Sequence, residues 1–353
     1  MKAGSDRRGS VSRERDSARR DMTTEALSST PPVPRSANSP KTAFVFAGGG
    51  SFGSIQVGML RALLSHGITA DMVVGSSVGA MNAAYFAGMP TAEGVERLAG
   101  IWRSLRRQDV FPITWRTVLG FIRRRDFLIS ADGVRRLIDT HVPYRNLEDA
   151  KLPLHVVATD LLSGGTVVLS KGPVAQAIVA STAIPAAFAP VQLENLYLAD
   201  GAITCNTPVR VAVARGAQRL FVLPTGYACA LEAPPRGAIA SALHALTLLI
   251  ARQLLHELHG LESGIEYFVV PPLCPLSGSP HDFSQTDKLI RRAAESTRTW
   301  LAEGGLRRRE IPRQMRAHNH HRLLELSDRR VTIPGHSFCK SSDLPPIGLF
   351  DLR

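Results

Sequence analysis

Twice within the first ninety residues an apolar run passes through a glycine-flanked turn into a segment of helical character. Thr42-Ala43-Phe44-Val45-Phe46-Ala47 leads into Gly48-Gly49-Gly50-Ser51-Phe52-Gly53, after which Ile55, Met59 and Leu63, with Val57, Leu60 and Leu64, recur at helical spacing as far as Gly67. Ala70-Asp71-Met72-Val73-Val74 leads in the same way into Gly75-Ser76-Ser77-Val78-Gly79 and then Ala80, Ala83 and Ala84, small enough to sit close to a sheet. Few architectures accept that order. Further strands are expected near 154–160, 165–170, 219–224 and 265–270, with helices between them. The alternation implies an α/β fold, a three-layer α/β/α sandwich around a mostly parallel sheet, with functional sites at the carboxyl ends of the strands.

The second turn has the GxSxG layout. A strand that bends sharply into a helix leaves its turn residue in a strained conformation and needs glycine on both sides, where a Cβ would strike the chain. Ser77 is therefore the candidate nucleophile, beside the free N–H groups and positive end of the following helix. The first turn, with three consecutive glycines, can aim backbone N–H groups at an anion, either a nucleotide phosphate or the oxyanion of an acyl transfer. Its spacing is neither GxGxxG nor GxxxxGK[ST], which disfavours the nucleotide and leaves a tight packing turn as the structural alternative. A third segment, Leu196-Tyr197-Leu198-Ala199-Asp200-Gly201-Ala202, ends a short apolar run in a carboxylate placed to accept the serine proton. Before it, Ala180-Ser181-Thr182-Ala183-Ile184-Pro185-Ala186-Ala187-Phe188-Ala189-Pro190-Val191 reads as a helix end broken by proline and followed by extended chain.

Glycine loop, GxSxG, the 180–191 stretch and Asp-Gly-Ala, in that order over residues 42 to 225, resemble the patatin-like phospholipase family. The resemblance implies a serine acyl hydrolase with a Ser/Asp dyad and no histidine. It puts those roles on Ser77 and Asp200 and the oxyanion hole on Gly48, Gly49 and Gly50. Ala158-Thr159-Asp160-Leu161 is similar to another recurrent family segment, in which Asp160 reads as a structural partner. One position departs from the pattern: the family usually carries Arg or Lys just before the last glycine of the loop, where this chain has Phe52. The implied reaction is hydrolysis of a phospholipid, lysophospholipid or acylglycerol through an acyl-enzyme. Its base, with an ordinary pKa near ~3.9, needs a dry pocket to become effective. Phe52 and the basic tails motivate the alternative, a catalytically weak lipid-binding or scaffolding protein on the same fold.

Charge divides the chain further. Residues 1–41 hold nine Lys/Arg against five Asp/Glu, and residues 305–353 hold ten against five, so the tails carry most of the net +12. The first tail is expected to be disordered, and the second to hold at most a short helix near 313–326. Residues 42–304 are left as one hydrolase domain. Within it, Arg103 to Arg136 contains nine arginines against Asp109, Asp126 and Asp132, interleaved with Trp102, Phe111, Trp115, Phe121 and Phe127. Residues 102–140 thus read equally as a lid facing an anionic bilayer and as an ordinary cap with a solvated basic face. No aromatic residues interleave with the tail arginines and no recognition motif is present, so nucleic acid is not an expected partner.

A lipid or membrane surface is the expected partner, in peripheral contact. The longest apolar stretch, Ala238 to Ala251, is too short to span a bilayer and continues through Leu261 as a long buried helix. No apolar h-region stands in residues 1–41, and Cys205, Cys229, Cys274 and Cys339 lie far apart, so reduced thiols and a cytoplasmic location are expected. No cofactor or metal is expected. In His256-Glu257-Leu258-His259 the histidines are three apart where HExxH needs four, and His318, His320 and His321 read as a solvated run.

Overall fold

The computed structural model describes residues 40–110, 129–307 apart from 186, 232, 234, 236, 237, 260 and 262, and residues 310–315. Outside the described residues lie nearly all of the N-terminal tail, the C-terminal tail beyond Met315 with its histidine cluster and Cys339, and residues 111–128 of the arginine-rich segment.

Five strands run parallel in the order β3 (Leu154–Asp160), β2 (Met72–Ser76), β1 (Thr42–Phe46), β7 (Arg219–Leu223) and β8 (Glu266–Val269). Three short strands, β4 (Thr166–Leu169), β5 (Val191–Leu193) and β6 (Leu196–Asp200), join antiparallel on the β3 side. β1 is buried on both faces, and its side chains alternate between two cores. Phe44 and Phe46 enter one core and Ala43 and Val45 the other, as the period of two requires.

On the first face lie α1 (Gly53–Ser65), α2 (Val78–Gly88), α3 (Ala92–Ser104), α5 (Asp132–His141), α6 (Val174–Ser181) and α10 (Thr286–Ala302), all contributing to one core. Phe44 stacks on Phe86 and meets Phe221 edge-on, each at 5.8 Å. The other face is covered by α8 (Val209–Ala214) and by Leu254 and Leu258 of α9 (Ala238–His259). Two short helices, α4 (Arg107–Val110) and α7 (Ala202–Cys205), follow α3 and β6. The α/β/α sandwich with a mostly parallel sheet is thus the observed architecture.

Two expectations need amending. α9 forms over nearly the expected length, but it is not buried throughout: Leu246, Leu248 and Leu249 are exposed, Leu249 by 66%. Leu254 and Leu258 in its C-terminal half pack on the sheet, while Leu246, Thr247 and Ile250 line a cavity beside Asp200. The cysteines, distant in sequence, are not all distant in space. Cys229 and Cys274 follow the neighbouring strands β7 and β8, and their Sγ atoms lie 4.0 Å apart as thiols.

Candidate active site

Ser77 stands between β2 and α2 with φ 53° and ψ −131°, a conformation that costs a non-glycine residue roughly 1–3 kcal/mol and has to be held by its surroundings. Close packing holds it from both sides. A Cβ on Gly75 would come within 2.6 Å of the Gly79 carbonyl oxygen, and one on Gly79 within 2.4 Å of that of Phe46. The Ser77 N–H donates to Ser181 Oγ at 2.9 Å, and Ser181 in turn donates to the Val157 carbonyl at 2.6 Å. Ser181, fully buried at the end of α6, therefore ties the turn to β3.

The register explains why Asp200 arrives beside this turn. A strand has two edges, and β4 occupies one edge of β3 from Val156 to Thr159. β2 pairs along the other edge until Ser76 meets Val157, where the chain leaves for α2. β6 takes up that edge at the next residue, with Asp200 opposite Ala158. Ser76 and Asp200 thus face consecutive residues of β3, and the Ser77 hydroxyl donates to Asp200 Oδ2 at 2.7 Å. Oδ1 accepts from the Ala202 N–H at 2.8 Å.

The Asp200 carboxyl is buried, and burial raises its pKa from 3.8 to about 6, against the smaller opposing effects of the Ser77 and Ala202 hydrogen bonds. Asp160 behaves oppositely. It accepts from Ser163 and the Leu162 N–H in the turn before β4, and its pKa is lowered chiefly by the Ser163 bond.

The three glycines of the first loop are not equivalent. Gly48 donates its N–H to the Asn206 carbonyl at 3.2 Å and accepts from Thr225 Oγ1 at 2.7 Å, so its amide is engaged in anchoring the loop. Among the described residues, the N–H groups of Gly49 and Gly50 have no such partner. Gly50 has φ 60°, and a Cβ there would lie 2.4 Å from the Pro280 carbonyl oxygen.

A buried polar chain supports the loop from below. Gln56 Nε2 donates to the carbonyls of Ala47 and Leu223 at 2.8 and 2.9 Å. Asn82 Nδ2 donates to Gln56 Oε1 and the Gly53 carbonyl, and Trp102 Nε1 donates to Asn82 Oδ1 at 2.9 Å. Sequence reasoning missed Gln56, Asn82, Thr225 and Asn206 as supports. The only available signal was an amide at an otherwise apolar helix position, as at Gln56 and Asn82. Ser181 lay within a stretch already singled out, but without a role.

Ser77 and Gly50 lie where two cavities meet. One is apolar and runs between α2, α3 and α5, past Met81, Leu98, Trp102 and Ile138. The other contains Asp200, the glycine loop, Asn206 and the wall of α9. Phe52, 2% exposed, belongs to the core and to the edge of the second cavity. Among the described residues no cluster of His, Cys, Asp or Glu is arranged to hold a metal ion.

The family model for patatin-like phospholipases matches residues 44–213, from β1 to α8, and in this stretch the chain is similar to that family. An uncharacterised NTE family protein of Mycobacterium tuberculosis is 33% identical over 177 residues, which are 50% of this chain and 46% of that protein. Patatin-like phospholipase domain-containing protein 7 of Rattus norvegicus is 28% identical over 186 residues, 52% of this chain and 13% of that protein. The chain thus aligns with less than half the length of these relatives. Among solved structures, human GIVD cytosolic phospholipase A2 in complex with methyl gamma-linolenyl fluorophosphonate superposes with a TM-score of 0.42 at 12% identity, covering 76% of this chain and 59% of that one.

Proposed function

We propose that this protein hydrolyses lipid acyl esters, with Ser77 as nucleophile and Asp200 as its base, in the manner of a phospholipase A or lysophospholipase. The observation that carries the reading is the 2.7 Å hydrogen bond from a strained serine hydroxyl to a buried carboxylate whose pKa is raised to about 6. Asp200 takes the hydroxyl proton as Ser77 Oγ attacks the ester carbonyl. The oxyanion then forms next to the Gly49 and Gly50 amides, and Gly48 holds the loop in place. Asp200 returns the proton to the departing alcohol. Water, deprotonated by the same carboxylate, cleaves the acyl-enzyme to a free fatty acid and restores Ser77. The apolar cavity suits an acyl chain, and a large hydrophobic lining with few polar groups is the usual composition of such a site.

Lipid would be met at a surface. Among the described residues no helix is long and apolar enough to cross a membrane. The exposed leucines of α9 flank the second cavity and suit shallow peripheral contact at the face of a cytoplasmic membrane.

Intact-protein mass spectrometry after treatment with a lipid-like fluorophosphonate, in the presence of anionic vesicles, tests the assignment. A single adduct is expected on Ser77 of the wild-type chain, with none on Ser77→Ala and little on Asp200→Asn. A folded wild-type protein that takes up no label would sink the hydrolase reading in favour of a lipid-binding scaffold.

A further inference from the structure

The described part of the arginine-rich segment borders the candidate site. Arg103 at the end of α3, and Arg106 and Arg107 at the start of α4, line one open groove with Ser279, His281, Ser284 and one carboxylate, that of Asp282. Leu105 and Phe283 are shared between this groove and the apolar cavity at Ser77, and His281 is shared with the cavity that contains Asp200. The groove therefore opens onto both cavities of the site.

Its positive charge is only partly compensated. Arg103 is paired with Asp287 at 2.8 Å. Asp109 spends a carboxylate oxygen on the Arg106 backbone N–H at 2.7 Å, and Asp282 accepts from the Ser284 N–H at 2.8 Å. Among the described residues, no carboxylate forms an ion pair with the guanidinium of Arg106 or Arg107. His281 is held below the usual histidine range by burial and by the nearby Arg107 charge, so it faces the groove uncharged at neutral pH.

We infer that this groove, on the reading of the site as a lipid esterase, is a subsite for an anionic phosphate headgroup. Arg106 and Arg107 are its donors, and it favours lipids whose phosphate is not offset by a cation of their own. Guanidinium groups match phosphate oxygens in geometry and charge, and two of them side by side repel the ammonium of a choline or ethanolamine headgroup. A neutral acylglycerol offers them nothing to bind.

The test uses uncleavable ether lipids of one chain length, so that binding is read without turnover. Dissociation constants for the full chain are measured by intrinsic tryptophan fluorescence for ether lysophosphatidate, ether lysophosphatidylcholine, ether monoacylglycerol and inorganic phosphate. Lysophosphatidate is expected to bind about tenfold more tightly than the zwitterionic and neutral ethers, a ratio that narrows as salt rises. The ratio should fall to near one in Arg106→Gln/Arg107→Gln and be partly restored in Arg106→Lys/Arg107→Lys, which keeps the charge without the fork. Equal affinity for the three ethers, or the same preference in the glutamine variant, overturns the inference. So does inorganic phosphate displacing lysophosphatidate at concentrations that fill the groove by itself, which would make this a free-phosphate site. Because no step depends on hydrolysis, failure of the esterase reading shows separately as the absence of a fluorophosphonate adduct.

Discussion

As the proposed base, Asp200 would have to be both buried and ionised, and the two requirements conflict. A carboxyl whose pKa rises from 3.8 unfolded to about 6 folded contributes stability that is complete below pH 3.8 and is lost as pH climbs through 6. At pH 8 the charged form costs the fold about 3 kcal/mol. Asp200→Asn should therefore be more stable than wild type at pH 8 by an amount of that order, with the advantage fading toward pH 4 in urea titrations. Its hydrolytic rate should fall roughly 10³–10⁴-fold. In the wild type, kcat/KM should rise with pH and level off above a midpoint near 6, because the base works only when ionised.

Phe52 is the second instructive residue. The motif comparison suggests restoring a cation there, but the side chain is packed among core residues. Phe52→Arg should then lower stability by roughly 3–5 kcal/mol without raising turnover, as a thermal melt beside an ester assay would show.

At the level of elements, the site is assembled by one strand. β3 accepts β2 and then β6 along a single edge, and this succession, not either motif alone, brings Ser77 and Asp200 together. α1 and α2 contribute through Gln56 and Asn82, two buried amides that give the glycine loop a hydrogen-bonded support. Gln56→Leu keeps the volume but leaves the Ala47 and Leu223 carbonyls and the Asn82 amide short of a partner inside the core. A loss of about 2–4 kcal/mol is expected in denaturant titration, with a fall in kcat larger than any change in KM. An unchanged kcat would show that the loop keeps its position without this support.

For the molecule as a whole, the placement of exposed apolar surface matters. Leu248 and Leu249 are exposed on α9, between residues that line the cavity that holds Asp200. Leu248→Ser/Leu249→Ser should weaken binding to vesicles, read by sedimentation, by about thirtyfold, since each leucine gives up on the order of 1 kcal/mol of transfer free energy. The thermal midpoint should hardly move. Equal sedimentation of variant and wild type would place the membrane-facing surface elsewhere on the protein.

What the sequence by itself determined is local. Apolar runs punctuated by glycine read directly as strand, turn and helix, because periodicity and the steric needs of a tight turn are properties of neighbouring residues. That legibility extended to the α/β/α order, to β1, β2, β3, β4, β7 and β8, and to Ser77 and Asp200 as the residues worth watching. Tertiary structure alone decided which glycine amides remain free, since the partner of Gly48 is Asn206, 158 positions away in the chain. It also exposed the leucines of α9, buried Phe52, brought Cys229 beside Cys274, and set Arg106 and Arg107 into a groove with His281. Each of these is a contact between segments far apart in sequence. Their pairing depends on strand order and register, and no window of adjacent residues encodes either.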